Sequence, residues 1–280
     1  MPASPPHGAG LPFAHGLQAT ARPGNGDGVL WIHGYTLDST TWDEIWCELP
    51  GWSHHGIDLP GHGMSPAMEP GMTLGELGQR LAQAAIAHDV RHIVGLSVGS
   101  IIALEAALSR PLAFETVTLA APALAGGPVA DDVGVRFREL QELYRRRGHG
   151  PWMTELWMRC PPATFAGASP PLHARLAEVI DRYAWSELSN PERGIAALAR
   201  ARQDPHRLRT STARILVIVG EHELPAFRDT AAILHGIRQD ARLVELAGAG
   251  HLCLLHAPRQ SARLISQHWQ DRTAAGTDPP

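Results

Sequence analysis

Lysine is missing from the sequence, since all 24 basic residues are arginine. A Schiff-base lysine, a lysine that holds pyridoxal phosphate and the lysine of a phosphate-binding P-loop are therefore excluded. Positive charge is also in deficit, because 28 acidic residues give a formal net charge of -4. No extended basic surface is apparent in the sequence, and we expect no nucleic-acid partner.

Cysteines and long apolar runs are scarce as well. The three cysteines, Cys47, Cys160 and Cys253, lie far apart, and at least one of them must be unpaired. This usage is typical of reduced thiols in the cytoplasm. No apolar run approaches the length of about 20 residues that spans a bilayer, and residues 1–13 lack the apolar core of a secretion signal. We expect a cytoplasmic protein with no membrane partner.

Ligand patterns for metals and common cofactors are absent too. No His-x-x-x-His or Cys-x-x-Cys spacing falls within a coherent element. The nearest approach is His251 with His256, and His256 stands where the last helix is predicted to begin, which favours a structural role. No glycine-rich dinucleotide motif follows the first strong strand. The sequence predicts neither a metal site nor a cofactor.

Strand and helix patterns alternate along most of the chain. Continuous apolar runs, typical of strands buried on both faces of a sheet, alternate with helical periodicity, and one helix opens with the capping box Thr73-x-x-Glu76. Strands are predicted at about 29–32, 53–58, 93–96, 116–120, 215–220 and 242–246, with at most one short edge strand near 17–21. This alternation predicts an α/β fold with a doubly wound, mainly parallel sheet.

Strand patterns disappear between about residues 124 and 209, where helical faces continue and Pro-Pro pairs interrupt the chain. We interpret 124–209 as a helical cap inserted into an α/β core. The first part of that core is then 1–123 and the second part is 210–270. Residues 271–280 are predicted to form a disordered tail.

Gly95-x-Ser97-x-Gly99 lies between a predicted strand and an apolar helical face. Glycine on both sides of the serine suits a turn so tight that neighbouring Cβ atoms would collide. Such a turn lifts the serine Oγ above the sheet, at a helix N-terminus that favours negative charge. The motif alone also fits an ordinary turn, but its position between strand and helix indicates a nucleophile.

A nucleophilic serine needs a histidine base, and the base needs an orienting acid. Of the 16 histidines, His251 directly follows the last strand in a loop of small residues. Glu223 follows the penultimate strand, three residues past the glycine that ends it, and Glu221 is the competing acid. We expect Ser97, Glu223 and His251 to meet at the carboxyl edge of the sheet, where ligands bind in such folds.

Two backbone N–H groups are predicted to form an oxyanion hole, and each is worth about 3 kcal/mol in comparable sites. Val98, the residue after the nucleophile, supplies one donor. Tyr35 supplies the second, because it follows the His33-Gly34 loop that borders the serine. His33 and His62 stand in glycine-flanked turns, where a structural hydrogen bond is the expected role.

Together these motifs resemble the α/β-hydrolase superfamily over about residues 28–270. The segments that carry the resemblance occur in the family's order and are His33-Gly34-Tyr35, Asp58-Leu59-Pro60-Gly61-His62-Gly63-Met64-Ser65, Gly95-Leu96-Ser97-Val98-Gly99, Gly220-x-x-Glu223 and Gly250-His251. The resemblance implies an acyl-transfer enzyme with a Ser–acid–His triad and a helical cap over the pocket. The chain departs from the family in one respect, since Glu223 stands where aspartate is usual. Ser97 speaks against epoxide hydrolases and haloalkane dehalogenases, which use an aspartate nucleophile.

The predicted cap carries many bulky side chains and several arginines. Most of its aromatic residues are expected to pack the cap helices against each other, and the candidates for a substrate pocket are Trp152, Trp157 and Trp185. The arginines fit a solvated helix face, or alternatively a site for an acidic group or an acidic carrier protein. They are Arg136, Arg138, Arg145, Arg146, Arg147 and Arg159.

Three functions remain open from the sequence. The leading hypothesis is a serine hydrolase that cleaves a carboxylic ester or thioester of a small, largely apolar acyl substrate, free or carrier-bound, through an acyl-enzyme. The second uses the same triad for C–C bond hydrolysis or for a lyase or cyclase step of a biosynthetic pathway, because the loop motifs are also similar to menaquinone-pathway and meta-cleavage relatives. The third is a non-catalytic small-molecule receptor on this scaffold, which has no need of serine, acid and histidine together.

Overall fold

The structure, a computed structural model, describes residues 10–129, 131–191 and 194–271. Its centre is an eight-stranded sheet in the order β1-β2-β4-β3-β5-β6-β7-β8. The strands are β1 (Leu11–Ala14), β2 (Leu17–Arg22), β3 (Gly28–Ile32), β4 (Ser53–Ile57), β5 (Val90–Leu96), β6 (Thr116–Ala120), β7 (Arg214–Gly220) and β8 (Arg242–Leu246). Strands β3 to β8 pair in parallel, and only the β1–β2 hairpin is antiparallel to its neighbours. The predicted α/β fold with a mainly parallel sheet is confirmed.

Helices cover both faces of this sheet. In chain order they are α1 (Asp43–Cys47), α2 (Leu74–Ala87), α3 (Val98–Ser109), α4 (Asp131–Arg147), α5 (Pro151–Trp157), α6 (Pro162–Phe165), α7 (Pro170–Asp181), α8 (Ile195–Ala199), α9 (Pro225–Ile237), α10 (Cys253–His256) and α11 (Pro258–Gln270). Alternate residues of β3 serve the two faces, because successive side chains of a strand point in opposite directions. Leu30 and Ile32 join the core under α2, α3 and α9, whereas Val29 and Trp31 join the core under α1 and α11.

The predicted strands of the core are confirmed, and those at 116–120 and 242–246 have the predicted bounds. The capping box is present as well, since Thr73 Oγ1 accepts the Glu76 N–H at 3.2 Å and Glu76 Oε2 accepts the Thr73 N–H at 2.8 Å. At the β1 edge of the sheet, the prediction of at most one short strand is wrong, because β1 and β2 form a hairpin. Gly16 makes its turn with φ +74°, a conformation that costs glycine little.

Between β6 and β7 the described residues form helices α4 to α8 and turns of 3₁₀-helix, with no strand. This is the stretch in which the sequence predicts a helical insertion, and the residues between β6 and β7 are called the insertion below. The predicted tail at 271–280 lies outside the described residues except for Asp271, and so do residues 1–9. None of the described helices combines the length and apolar character needed to cross a bilayer.

Candidate active site

The parallel strands end together at one edge of the sheet. Ile32 of β3 pairs with Gly95 of β5, and Gly220 of β7 pairs with Leu246 of β8. The loops that leave these strand ends carry the serine, the glutamate and the histidine predicted to react. The topology therefore brings residues that are distant in sequence to one place.

Ser97 occupies the sharp turn between β5 and α3. Its backbone has φ 56° and ψ -123°, an uncommon conformation for a residue with a side chain, and its N–H donates to the Ala120 carbonyl at 2.9 Å. A Cβ at Gly95 would lie 2.6 Å from the Gly99 carbonyl oxygen, and a Cβ at Gly99 would overlap the Ile32 carbonyl. Both glycines are thus required by close backbone packing, as the sequence motif predicts.

A continuous hydrogen-bond chain joins the three predicted side chains. Ser97 Oγ lies 2.8 Å from His251 Nε2, and His251 Nδ1 lies 2.8 Å from Glu223 Oε1. Because a carboxylate oxygen can only accept, the imidazole hydrogen is assigned to Nδ1, which leaves Nε2 to accept from the serine hydroxyl. His251 and Glu223 are both buried. This geometry is suited to removing a proton from the serine as it attacks a carbon centre.

The two competing acids have different partners. Glu223 Oε1 accepts from His251 and also from the Leu224 N–H at 2.9 Å, so the carboxylate is held in one orientation. Glu221 is exposed, and its Oε2 accepts the Gly248 N–H at 2.7 Å. The glutamate in contact with the imidazole is therefore Glu223, and Glu221 ties down the loop that carries the histidine.

The backbone around His251 is held by the helical insertion. The N–H groups of Gly250 and His251 donate to the Ala166 and Ala163 carbonyls, each at 2.9 Å. The ring of Phe227, on α9, covers the imidazole with ring centroids 4.2 Å apart and planes tilted by 50°. Phe227 is a contact of the site that the sequence analysis missed, because a lone phenylalanine on an amphipathic helix carries no signal beyond core packing.

Two backbone N–H groups lie beside the serine without an acceptor in the described part of the chain. Val98 is the first residue of α3, and its N–H has no intrahelical partner. Tyr35 lies in a turn closed by the Leu37 N–H, which donates to the Gly34 carbonyl at 3.3 Å. A Cβ at Gly34 would lie 3.4 Å from the Cβ of Ser97, so this turn borders the nucleophile. Both predicted oxyanion donors therefore lie next to Ser97.

His33 and His62 connect the segment around Tyr35 to the loop that follows β4. His33 Nε2 accepts the Leu59 N–H at 3.0 Å, and His62 Nε2 accepts the Thr36 N–H at 3.3 Å. Burial lowers the pKa of His33 below its usual range and that of His62 to about 3. Both rings are thus neutral acceptors at neutral pH, in agreement with the structural role predicted for them.

A cavity of about 660 Å³ opens above Ser97 and His251. Its wall combines loops of the core with helices of the insertion and is largely aliphatic and aromatic. Residues from the core side include Tyr35, Leu37, Ile101, Leu224, Phe227 and Leu252. Residues from the insertion include Val133, Phe137, Trp157, Phe165, Ile180 and Ile195.

Of the tryptophans predicted for the pocket, only Trp157 lines this cavity. Trp185 is fully buried behind it, with its ring 6.3 Å from that of Trp157. Trp152 is half-buried in the first turn of α5, where its Nε1–H donates to the Gly148 carbonyl at 3.0 Å and Arg147 stacks over its ring. The expectation for Trp152 and Trp185 is therefore corrected, because helical periodicity marks a buried face without showing what covers it.

Of the six arginines predicted at the cap surface, one lines the cavity and four pair with a carboxylate or an aromatic ring. Arg138 lines the cavity, and it is the one member of that set among the lining residues. The four that pair are Arg136 with Glu139, Arg145 and Arg146 with Glu142, and Arg147 with Trp152. In the described ranges, no group of His, Cys, Asp and Glu side chains is arranged to hold a metal ion.

Known proteins share this architecture. The chain is similar to an esterase (EaEST) from Exiguobacterium antarcticum, with 18% identity, a TM-score of 0.75 and coverage of 92% of this chain and 98% of that chain. It is 35% identical over 92 residues to a pimeloyl-[acyl-carrier protein] methyl ester esterase of Aeromonas hydrophila, which is 32% of this chain and 35% of that protein.

A third similarity is to a 2-succinyl-6-hydroxy-2,4-cyclohexadiene-1-carboxylate synthase of Enterobacter sp., 31% identical over 85 residues, or 30% of this chain and 33% of that protein. The matches to these two curated relatives span about a third of each relative's length. The model of the alpha/beta hydrolase family covers far more, since it matches residues 29–264. With that match and the sheet order described above, the chain belongs to the alpha/beta hydrolase family.

Proposed function

We propose that the protein is a serine hydrolase that cleaves a carboxylic ester or thioester of a small, largely apolar acyl compound through an acyl-enzyme. The observation that supports this most strongly is the hydrogen-bond chain from Ser97 through His251 to Glu223, with both bonds at 2.8 Å. The cavity of about 660 Å³ above it has room for such a substrate and a wall suited to an apolar one.

In the proposed first half-reaction, Ser97 Oγ attacks the substrate carbonyl while its proton moves to His251 Nε2. The carbonyl oxygen becomes an anion and accepts hydrogen bonds from the N–H groups of Tyr35 and Val98. Glu223 stabilises the imidazolium through the Nδ1–H bond. The imidazolium then gives its proton to the departing alcohol or thiol, and the acyl group stays on Ser97.

The second half-reaction reverses these roles. A water molecule loses a proton to His251 Nε2 and attacks the acyl carbonyl, and the same N–H pair stabilises the new anion. When the anion collapses, Ser97 takes the proton back and the carboxylic acid leaves. The residues form one cycle, so the enzyme returns to its starting protonation state without a cofactor.

A fluorophosphonate probe tests the proposed nucleophile. Wild-type protein should gain one adduct on the peptide that contains Ser97, and Ser97→Ala should gain none. Ser109→Ala, at the other end of α3, is the matched control and should label like the wild type. Folded wild-type protein that resists the probe, or Ser97→Ala protein that still reacts, would refute the proposal.

A second candidate function is C–C bond hydrolysis or a lyase step by the same triad. The observation that favours it is the partial similarity to the synthase of Enterobacter sp.. Panels of p-nitrophenyl esters and acyl-thioesters separate the two candidates. Turnover that depends on Ser97 supports the hydrolase, whereas normal probe labelling with negligible turnover of every ester and thioester supports the second candidate.

A further inference from the structure

The side chain of Tyr35 is held by the helical insertion, although its backbone belongs to the core. Its ring lies 5.5 Å from Trp157, 5.6 Å from Tyr183 and 6.3 Å from Trp185, measured between ring centroids. These contacts are edge-to-face, an arrangement that favours one ring orientation over others. The residue whose N–H is the proposed second oxyanion donor is thus positioned from outside the loop that contains it.

The backbone conformation of Trp185 is imposed by the residues packed around it. Trp185 is fully buried, yet its backbone is left-handed with φ 58° and ψ 13°. A bulky residue keeps that conformation only where its surroundings impose it. The turn that follows, closed by the Leu188 N–H on the Trp185 carbonyl at 3.0 Å, brings Glu187 inward.

Glu187 is a buried carboxyl that the proposed reaction cycle does not use. It is 8% exposed, and its Oε1 is buried with no hydrogen-bond partner in the described chain. The Tyr35 hydroxyl is in the same condition. It belongs to the same cluster, because the Tyr35 ring contacts Trp185, which opens the turn that carries Glu187. Burial raises the pKa of Glu187, while the nearby phenols of Tyr35 and Tyr183 favour its charged form. A buried donor and a buried acceptor in one cluster, each without another partner, are expected to pair with each other.

The backbone beside Tyr35 is fixed on its other side. Thr36 has φ 64°, and its N–H donates to His62 Nε2 at 3.3 Å. The His62 ring stacks on Tyr183 with centroids 4.4 Å apart and planes at 22°. Tyr183 therefore contacts both the His62 ring, which holds Thr36, and the ring of Tyr35. The hydroxyl is the polar group of the Tyr35 side chain that these ring contacts leave without a partner in the described chain.

We infer that Glu187 is a positioning residue for the oxyanion hole: its carboxyl accepts a hydrogen bond from the Tyr35 hydroxyl, which anchors the ring and holds the Tyr35 N–H toward the cavity. This inference rests on the proposed function, because it assigns that N–H to the developing anion. A weaker anchor affects the transition state more than the bound ester, since the hydrogen bond to the oxygen strengthens only as charge develops.

Ester kinetics on matched variants test the inference. Tyr35→Phe, which removes only the hydroxyl, and Glu187→Leu should each lower kcat about tenfold with KM changed less than about twofold. Glu187→Gln keeps an acceptor for the phenol and should recover most of kcat. The double variant Tyr35→Phe/Glu187→Leu should be no slower than either single variant, because both changes remove the same bond.

Glu178→Gln, an exposed glutamate on α7, is the control and should match the wild type in kcat. Thermal unfolding of every variant identifies any that fail to fold, and Tyr35→Phe carries the test if Glu187→Leu is one of them. Wild-type kcat in Tyr35→Phe, or additive losses in the double variant, would overturn the inference while leaving the serine hydrolase intact. Wild-type protein that neither reacts with fluorophosphonate nor turns over esters would instead refute the proposed function, and the inference with it.

Discussion

Replacing Glu223 by glutamine removes a charge while leaving the hydrogen bonds of the site nearly unchanged. Glu223 Oε1 accepts from His251 Nδ1 at 2.8 Å and from the Leu224 N–H at 2.9 Å. The amide oxygen of glutamine can take this position, so the imidazole keeps its tautomer and orientation. What Glu223→Gln loses is the attraction between a carboxylate and the imidazolium that forms in the transition state.

The expected size of the effect follows from that distance. Two unit charges 2.8 Å apart attract by about 6 kcal/mol at an effective dielectric constant of about 20. The amide hydrogen bond that remains retains roughly 1 to 2 kcal/mol. About 4 kcal/mol is lost, which lowers kcat about a thousandfold.

Steady-state hydrolysis of p-nitrophenyl acetate and butyrate measures this loss. KM should change little in Glu223→Gln, because the carboxylate does not touch the substrate. Glu221→Gln is the matched control: its amide oxygen can still accept the Gly248 N–H, and kcat should stay within about twofold. Near-normal kcat in Glu223→Gln, or a large loss in Glu221→Gln, would refute the assignment of the acid.

Two further predictions concern the cavity and acid stability. Trp157→Leu replaces a lining residue by a smaller one and enlarges the cavity above Ser97. In competition assays, kcat/KM for bulky acyl esters should therefore rise relative to kcat/KM for acetyl esters. An unchanged ratio of the two values would show that the Trp157 ring does not border the acyl group. Burial lowers the pKa of His54 to about 4, against about 6.5 in an unfolded chain. Between these values the unfolded chain binds a proton that the folded chain does not, so the unfolding free energy falls by about 1.4 kcal/mol per pH unit as pH drops from about 6.5 to 4. Urea titrations across that pH range measure the slope of the unfolding free energy against pH, which should be smaller by one proton in His54→Gln. Equal slopes for variant and wild type would contradict the lowered pKa of His54.

The sequence predicted the elements with a local signal. Ser97 could be found because glycines at 95 and 99 are forced by backbone contact, and Glu223 and His251 because they follow strands whose carboxyl ends share an edge. The choice between Glu223 and Glu221 depended on a turn whose direction only the fold determines.

Features that depend on tertiary packing could not be predicted from the sequence. β1 was missed because its strand is short and begins in a Pro/Gly-rich stretch. Trp152, Trp157 and Trp185 have equivalent sequence character, and only the packing of the insertion separates the one that lines the cavity. Nothing in the sequence marks Glu187 as buried, because glutamate side chains are usually solvated. Its burial results from the turn at Trp185.

The central claim is that Ser97 carries the acyl group during turnover. Rapid mixing with p-nitrophenyl acetate, followed by an acid quench and peptide mass spectrometry, measures this directly. The account predicts a burst of p-nitrophenol that does not exceed one equivalent per chain, with the acetyl group on the peptide that contains Ser97 and neither signal in Ser97→Ala. Acetylation of another residue, or undiminished turnover in Ser97→Ala, would contradict it.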